Sequence, residues 1–141
     1  FGTIGLSDTM MLQDGKDFAT RVELVTFGQT KDHDTFQDLI AATAFYLMKT
    51  NTLLHPGFVL QNFVKEFEPN TTVPHLYFSA PAMWDDFGDT EFDDKRVNWL
   101  WILPISEKEF QFLQENGDYE LEVKLEENEA DVTDLERTDV V

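Results

Sequence analysis

The 141-residue chain contains no cysteine, so disulfides and thiolate metal sites are excluded. Basic residues are scarce: 10 Lys and Arg stand against 28 Asp and Glu, for a net charge of −18. A field of that sign repels phosphate backbones and anionic lipid, which argues against nucleic-acid and membrane partners. No apolar run approaches the ~20 residues that a bilayer-spanning helix needs. The opening "FGTIGLSDTM" has neither an initiator Met at its start nor a signal peptide. We read it as the interior of a longer chain and expect a cytoplasmic protein. Histidine is equally sparse. His33, His55 and His75 have no histidine three or four residues away, and no H-E-x-x-H occurs, so metal-site spacing is missing.

Hydrophobic residues make up 42% of the chain, with 13 Phe and 3 Trp, enough for one globular domain with a sizeable core. The charge is uneven. Residues 1–84 hold 9 acids and 5 bases, whereas residues 85–141 hold 19 acids and 5 bases. Such a surface attracts basic partners at long range. The same acidity would also serve solubility alone.

The pattern along the chain alternates strands and helices, without internal repeat or linker. "FGTIGLS" predicts a short strand bending at Gly5, and "QDGK" (13–16) a turn on its Asp-Gly pair. "TRVELVTF" (20–27) alternates as a strand that Gly28 ends. A helix follows from Asp34, taken as its N-cap, through Lys49, with Phe36, Leu39, Ile40, Ala44, Leu47 and Met48 on its apolar face. "HPG" (55–57) breaks the chain before "FVLQNF", and "HLYFSAP" (75–81) is a strand closed by Pro81. Residues 85–96 form an acidic loop. "VNWLWIL" (97–103), apolar on both faces, predicts a central strand covered on both sides and stopped by Pro104. Ser106 and Glu109 make the S-x-x-E capping box of a helix ending near Gly117. "DYELEVKLEEN" predicts a second short helix, and "DVTDLERTDVV" a turn with an extended segment.

Few residues point to chemistry. "DFG" at 86–88 lacks every other element of a kinase site. The loop "DDFGDTEFDD" lacks the ligand order of an EF-hand. Trp99 and Trp101 share one strand face and read as core. Trp84, beside the acidic loop, reads as an exposed aromatic contact. Trp84 with Asp85, Asp86, Asp89, Glu91, Asp93 and Asp94 therefore forms the candidate partner-binding set, an aromatic anchor flanked by carboxylates. A solvated loop with no partner remains the alternative.

The ordered set "TIGLSD", "VELVT", "LLHPG", "HLYF…P..W" and "VNWLWILPISEKEF", continued by Gly117 and "LERTDVV", resembles the bacterial suppressor of fused-like domain. The resemblance covers nearly the whole chain and implies an α+β fold, a mixed β-sheet flanked by helices, over residues 1–141. It also implies an opening helix and strand that this sequence lacks. It implies no catalytic centre and no cofactor. Bacterial relatives accompany secreted polymorphic toxins as immunity proteins, so the resemblance implies an antitoxin-type module whose partner is a basic toxin domain. An intracellular adaptor that sequesters a protein, as the animal relatives do, is the second reading. A carboxylate-dependent hydrolase is the third.

Overall fold

The computed structural model describes residues 1–82 and 87–141. Its main sheet is assembled on β7 (Arg96–Ile105). One edge of β7 is taken by β3 (Thr20–Val25), which runs parallel to it. The other edge is taken first by β6 (Thr90–Glu91) and then by β5 (His75–Ser79), both antiparallel. β4 (Val59–Leu60) closes the far side against β5. A separate hairpin joins β1 (Met11–Gln13) to β2 (Lys16–Phe18). The helices are α1 (His33–Thr50), α2 (Glu107–Asn116) and α3 (Asp118–Glu127). The result is an α+β fold with a mixed sheet, as expected.

The two-faced apolar run of β7 meets a different core on each side. Leu100 and Ile102 join Leu76 and Phe78 of β5, Val22 and Leu24 of β3, and the inward face of α1. Leu103 and Ile105 join Tyr77, Leu113 of α2, and Leu121 and Leu125 of α3. The period of two along each strand thus sorts side chains between two layers of helix.

Pro104 does not stop β7, which runs on to Ile105. In a strand the N and the C=O of one residue point to the same edge. The Pro104 carbonyl accepts from Arg137 (3.1 Å), so its nitrogen also faces away from β5. The β3 ladder has already ended there, at Val25 and Trp101. No neighbour requires the missing N–H.

Other elements differ from expectation in detail. α1 begins at His33 after a 3₁₀ turn over Thr30–Asp32, and Asp32 holds the cap position without a side-chain bond. Asp34 lies in the first turn instead, where its charge still favours the helix dipole. Thr43 replaces Met48 on the buried face, its hydroxyl donating to the Leu39 carbonyl (2.7 Å). Met48 points to solvent. The first residues form only an isolated bridge, Gly2 to Val25, and a 3₁₀ turn over Leu6–Asp8. Within the 85–96 stretch, β6 pairs with β7 and so turns part of the expected loop into a hairpin. The Asp14-Gly15 pair does make its tight turn, with φ of 52° and 75°.

The junction after β7 is densely hydrogen-bonded. The Ser106 hydroxyl accepts from the Glu109 N–H (3.1 Å), and the Glu109 carboxylate accepts from the Ser106 N–H (2.8 Å). The same carboxylate accepts two bonds from Arg137 (2.6 and 2.8 Å) and one from the Val140 N–H (3.1 Å). Glu109 is 0% exposed and Arg137 6%. "LERTDVV" therefore returns over the start of α2 as a second, long-range cap.

Two substitutions separate the local cap from the ion pair. Ser106→Ala should lower unfolding free energy by about 1 kcal/mol. Arg137→Ala leaves a buried carboxylate without its counter-ion and should cost about 3–5 kcal/mol. Urea denaturation of both variants checks this. Equal costs would mean that the tail does not hold the junction.

Candidate functional site

Four of the seven residues in the candidate set lie in or beside the β6–β7 hairpin. Asp89, Glu91, Asp93 and Asp94 are all exposed. Trp84, Asp85 and Asp86 lie outside the described residues. The hairpin turn is closed by the Phe92 N–H donating to the Lys95 carbonyl (2.8 Å). Two cations brace it. Arg96 pairs with Glu91 directly across the strands. Lys95 reaches Asp8 (2.6 Å), and its ammonium lies 5.9 Å from the Phe92 ring centre. The hydrogen bond and charge of Lys95 hold the Asp8 carboxyl below its usual range. Asp89, Asp93 and Asp94 form no ion pair among the described residues.

Phe92 is 56% exposed between these acids. Sequence reasoning chose Trp84 as the aromatic anchor and passed over Phe92. The signal was present: an aromatic residue next to the two acids of a turn has no core to enter.

Beneath the hairpin lies the N-terminal loop, shaped by a buried carboxylate. Glu23 on β3 accepts from the Thr3 hydroxyl (2.5 Å) and from the N–H groups of Gly5 (2.9 Å) and Ser7 (2.9 Å). The residue is only 6% exposed. Burial alone would raise its pKa. The bonds from Thr3, Ser7 and Gly5 outweigh that and hold it below its ordinary value of 4.5. With residues 3, 5 and 7 pinned, Ile4 is thrust outward and is 99% exposed. Lys95 also contacts the Ser7 carbonyl and hydroxyl (3.4 Å each), tying this loop to the hairpin.

Trp99 and Trp101 are both half-buried; Trp101 packs against the second core as read, whereas Trp99 is part of neither core among the described residues. At position 99 the odd-numbered face of β7 is covered by Phe87, edge-to-face at 5.0 Å, and by the backbone near Gly2. The second core is entered only at position 101, where Trp101 stacks on Phe27 at 5.5 Å and 17°.

A groove that no sequence motif marked runs between α3 and this odd-numbered face. Its volume is about 720 Å³, and Tyr77, Ser79, Trp101 and Glu122 are among its lining residues. The hydroxyls of Tyr77 (2.8 Å) and Ser79 (2.6 Å) both donate to one oxygen of Glu122. Burial first, and then the Glu122 charge, push the Tyr77 phenol far above its usual range. It stays a donor.

The histidines do not converge. His75 is buried, with Nδ1 accepting from the Asn62 N–H (3.0 Å) and Nε2 at 2.8 Å from Glu107. That pattern places the ring proton on Nε2 and makes His75 a bridge between β5 and α2. His33 and His55 lie at the surface. Among the described residues no group of three His, Asp or Glu side chains could hold a metal ion. No helix among them is long and apolar enough to cross a membrane.

The suppressor of fused protein (SUFU) family profile matches residues 1–138. The chain belongs to that family. It is 30% identical over 142 residues to the immunity protein YqcF of Bacillus subtilis (strain 168), a match spanning 100% of this chain and 73% of that protein. Its fold is similar to that in the Sufu–Fu complex crystal structure, with a TM-score of 0.69 at 14% identity, over 99% of this chain and 68% of that one. It is also similar to the crystal structure of Drosophila Suppressor of Fused, with a TM-score of 0.64 at 12% identity, over 92% of this chain and 34% of that one. The β7–α2 junction and the Arg137 tail, noted above as sequence features of the family, are here joined by the Glu109 ion pair.

Glu23 makes this face pH-sensitive in a defined direction. Its folded pKa is lowered, so its contribution is present above the ordinary glutamate range and is lost as pH falls through the folded value. The urea midpoint of the parent should exceed that of Glu23→Gln at pH 7, and the gap should close as pH drops toward 3. A gap that is independent of pH would show that the charged form is not what the loop binds.

Proposed function

We propose that this chain is an immunity protein: a binding module, needing no cofactor, that neutralises a cognate secreted toxin. The observation that carries this reading is the full-length similarity to a protein named as an immunity protein. The family fold, seen also in a Sufu–Fu complex, fits a protein-binding role. The net charge of −18 fits a basic partner, because complementary fields speed encounter and can stand in for substrate phosphates.

Within that reading the contact is the acidic hairpin. Asp89, Glu91, Asp93 and Asp94, with Asp85 and Asp86 before them, supply the attraction. Phe92 and Trp84 supply the apolar anchors. Bracing by Lys95 and Arg96 supports this assignment, since a turn already held in shape loses little entropy on binding. The reading places the protein in the cytoplasm as one domain over residues 1–141, and a toxin gene next to its own would fit it.

Neutralising the six acids to Asn or Gln should lower the association rate with the cognate toxin roughly tenfold or more at low salt. The melting temperature should change little. For the parent, the rate should drop toward that of the variant at about 0.5 M salt, where the Debye length is ~4 Å. Phe92→Ala and Trp84→Ala should act on the dissociation rate instead. Stopped-flow mixing and differential scanning calorimetry read these quantities. A neutralised variant that binds at the parental rate and still protects cells would move the contact elsewhere.

A further inference from the structure

We infer that the groove between α3 and the odd-numbered face of β5 and β7 receives an arginine or lysine side chain presented by a protein partner. This deepens the binding-module reading and rests on it, but it concerns a different surface from the hairpin.

Charge selects the occupant. Glu122, Glu126, Glu129 and Asp131 line the groove, and among the described residues no Lys or Arg lines it. Asp131 is engaged by Gln29 and Thr133. Glu126 and Glu129 are exposed and form no ion pair among the described residues. An anionic ligand would be repelled by this set. A purely apolar one would strip water from Glu122 without replacing it.

Glu122 is set up in advance for a cation. Both hydroxyl donors, Tyr77 and Ser79, bind its Oε1. Its Oε2 has no hydrogen bond among the described residues and remains free to accept one. Two fixed donors on the first oxygen hold the carboxylate in place before any ligand arrives, which lowers the ordering cost of binding. The neutral Tyr77 phenol cannot compete as a second anion.

The walls suit the rest of such a side chain. Trp101, stacked on Phe27 at 5.5 Å and 17°, is among the lining residues, and an aromatic wall attracts a guanidinium. Leu103 and Leu125 also line the groove and can cover an aliphatic stem while the charged head reaches the carboxylates. The volume of about 720 Å³ holds a long side chain together with part of its backbone.

The test uses ¹⁵N-labelled protein titrated with the capped tripeptide alanyl-arginyl-leucine, and with a citrulline version of the same shape and no charge. The arginine peptide should shift the amides of Tyr77, Ser79 and Glu122 and the Trp101 indole, and it should bind roughly tenfold more tightly than the citrulline peptide. Glu122→Gln can still accept both hydroxyl bonds, so its melting temperature should match the parent while the arginine preference is lost. Glu126→Gln, at an exposed position, should weaken binding without touching the fold. Equal affinity for the two peptides, shifts away from the groove, or no binding at millimolar peptide would each overturn the inference. If the hairpin variant still loses its fast association with the toxin, such a result removes the groove alone. Arginine-selective groove binding beside an unchanged hairpin variant would instead remove the hairpin contact and leave the groove standing.

Discussion

The buried carboxylate of Glu109 accepts hydrogen bonds from four donors: the Ser106 N–H, both terminal nitrogens of Arg137, and the Val140 N–H. Three parts of the chain meet on this one group. It fixes the exit of β7 into α2, and through Arg137 it reaches the Pro104 carbonyl of the central strand. It also draws the C-terminal segment across the helix start. A carboxylate at a helix N-terminus is favoured by the dipole and by free N–H groups. Here the arginine adds a full positive charge, so the cost of burying the acid is offset by donors already in place. The second core of Tyr77, Leu103, Leu113 and Leu121 packs beside this junction. The groove floor is built from the same strands.

Glu23 repeats the device at the other end of the sheet. There a strand carboxylate gathers the N–H groups of Gly5, Leu6 and Ser7 at the start of a 3₁₀ turn and not of an α-helix, and among the described residues no cation pairs with it. In both cases one acid fixes the path of a segment that also sends a leucine, Leu6 or Leu135, into the first core. A strongly acidic protein thus uses its most buried acids as structure and leaves the others to the surface. The distinction between Glu109 or Glu23 and Asp93 or Asp94 is one of donors within reach, which composition alone does not reveal.

That distinction also explains what could be read from the residues in order. The β7 run, the capping box, the Asp-Gly hairpin and both C-terminal helices were legible because their causes lie within a few neighbouring positions. The inward face of α1 was read nearly correctly, with Thr43 missed because its hydroxyl is satisfied within the helix and so can be buried. Pro104 was misread because its tolerance depends on where β3 ends. Trp99 was misread because the helices that make the second core reach the odd-numbered face only from position 101 onward, and at 99 the cover is the edge of Phe87 and the backbone near Gly2. The groove was invisible: Tyr77 and Glu122 are 45 positions apart, and neither carries a local signal. Phe92 could have been found, as an aromatic in an acidic turn. Of the candidate acids, Asp89, Glu91, Asp93 and Asp94 lie together at one hairpin.

The sheet order also sets a timetable for the nascent chain. β3 and β5 are both completed by pairing with β7, and the Thr26 to Ile102 bond beside that ladder spans 76 positions. During synthesis at ~5–20 residues per second, β3 waits roughly 4–15 s for its neighbour. Over that interval the ribosome-bound chain carries two unpaired strand edges, the kind of surface that other chains can join. The β1–β2 hairpin and α1 can form early, while the sheet cannot close until β7, at the start of the last third of the chain, has been made.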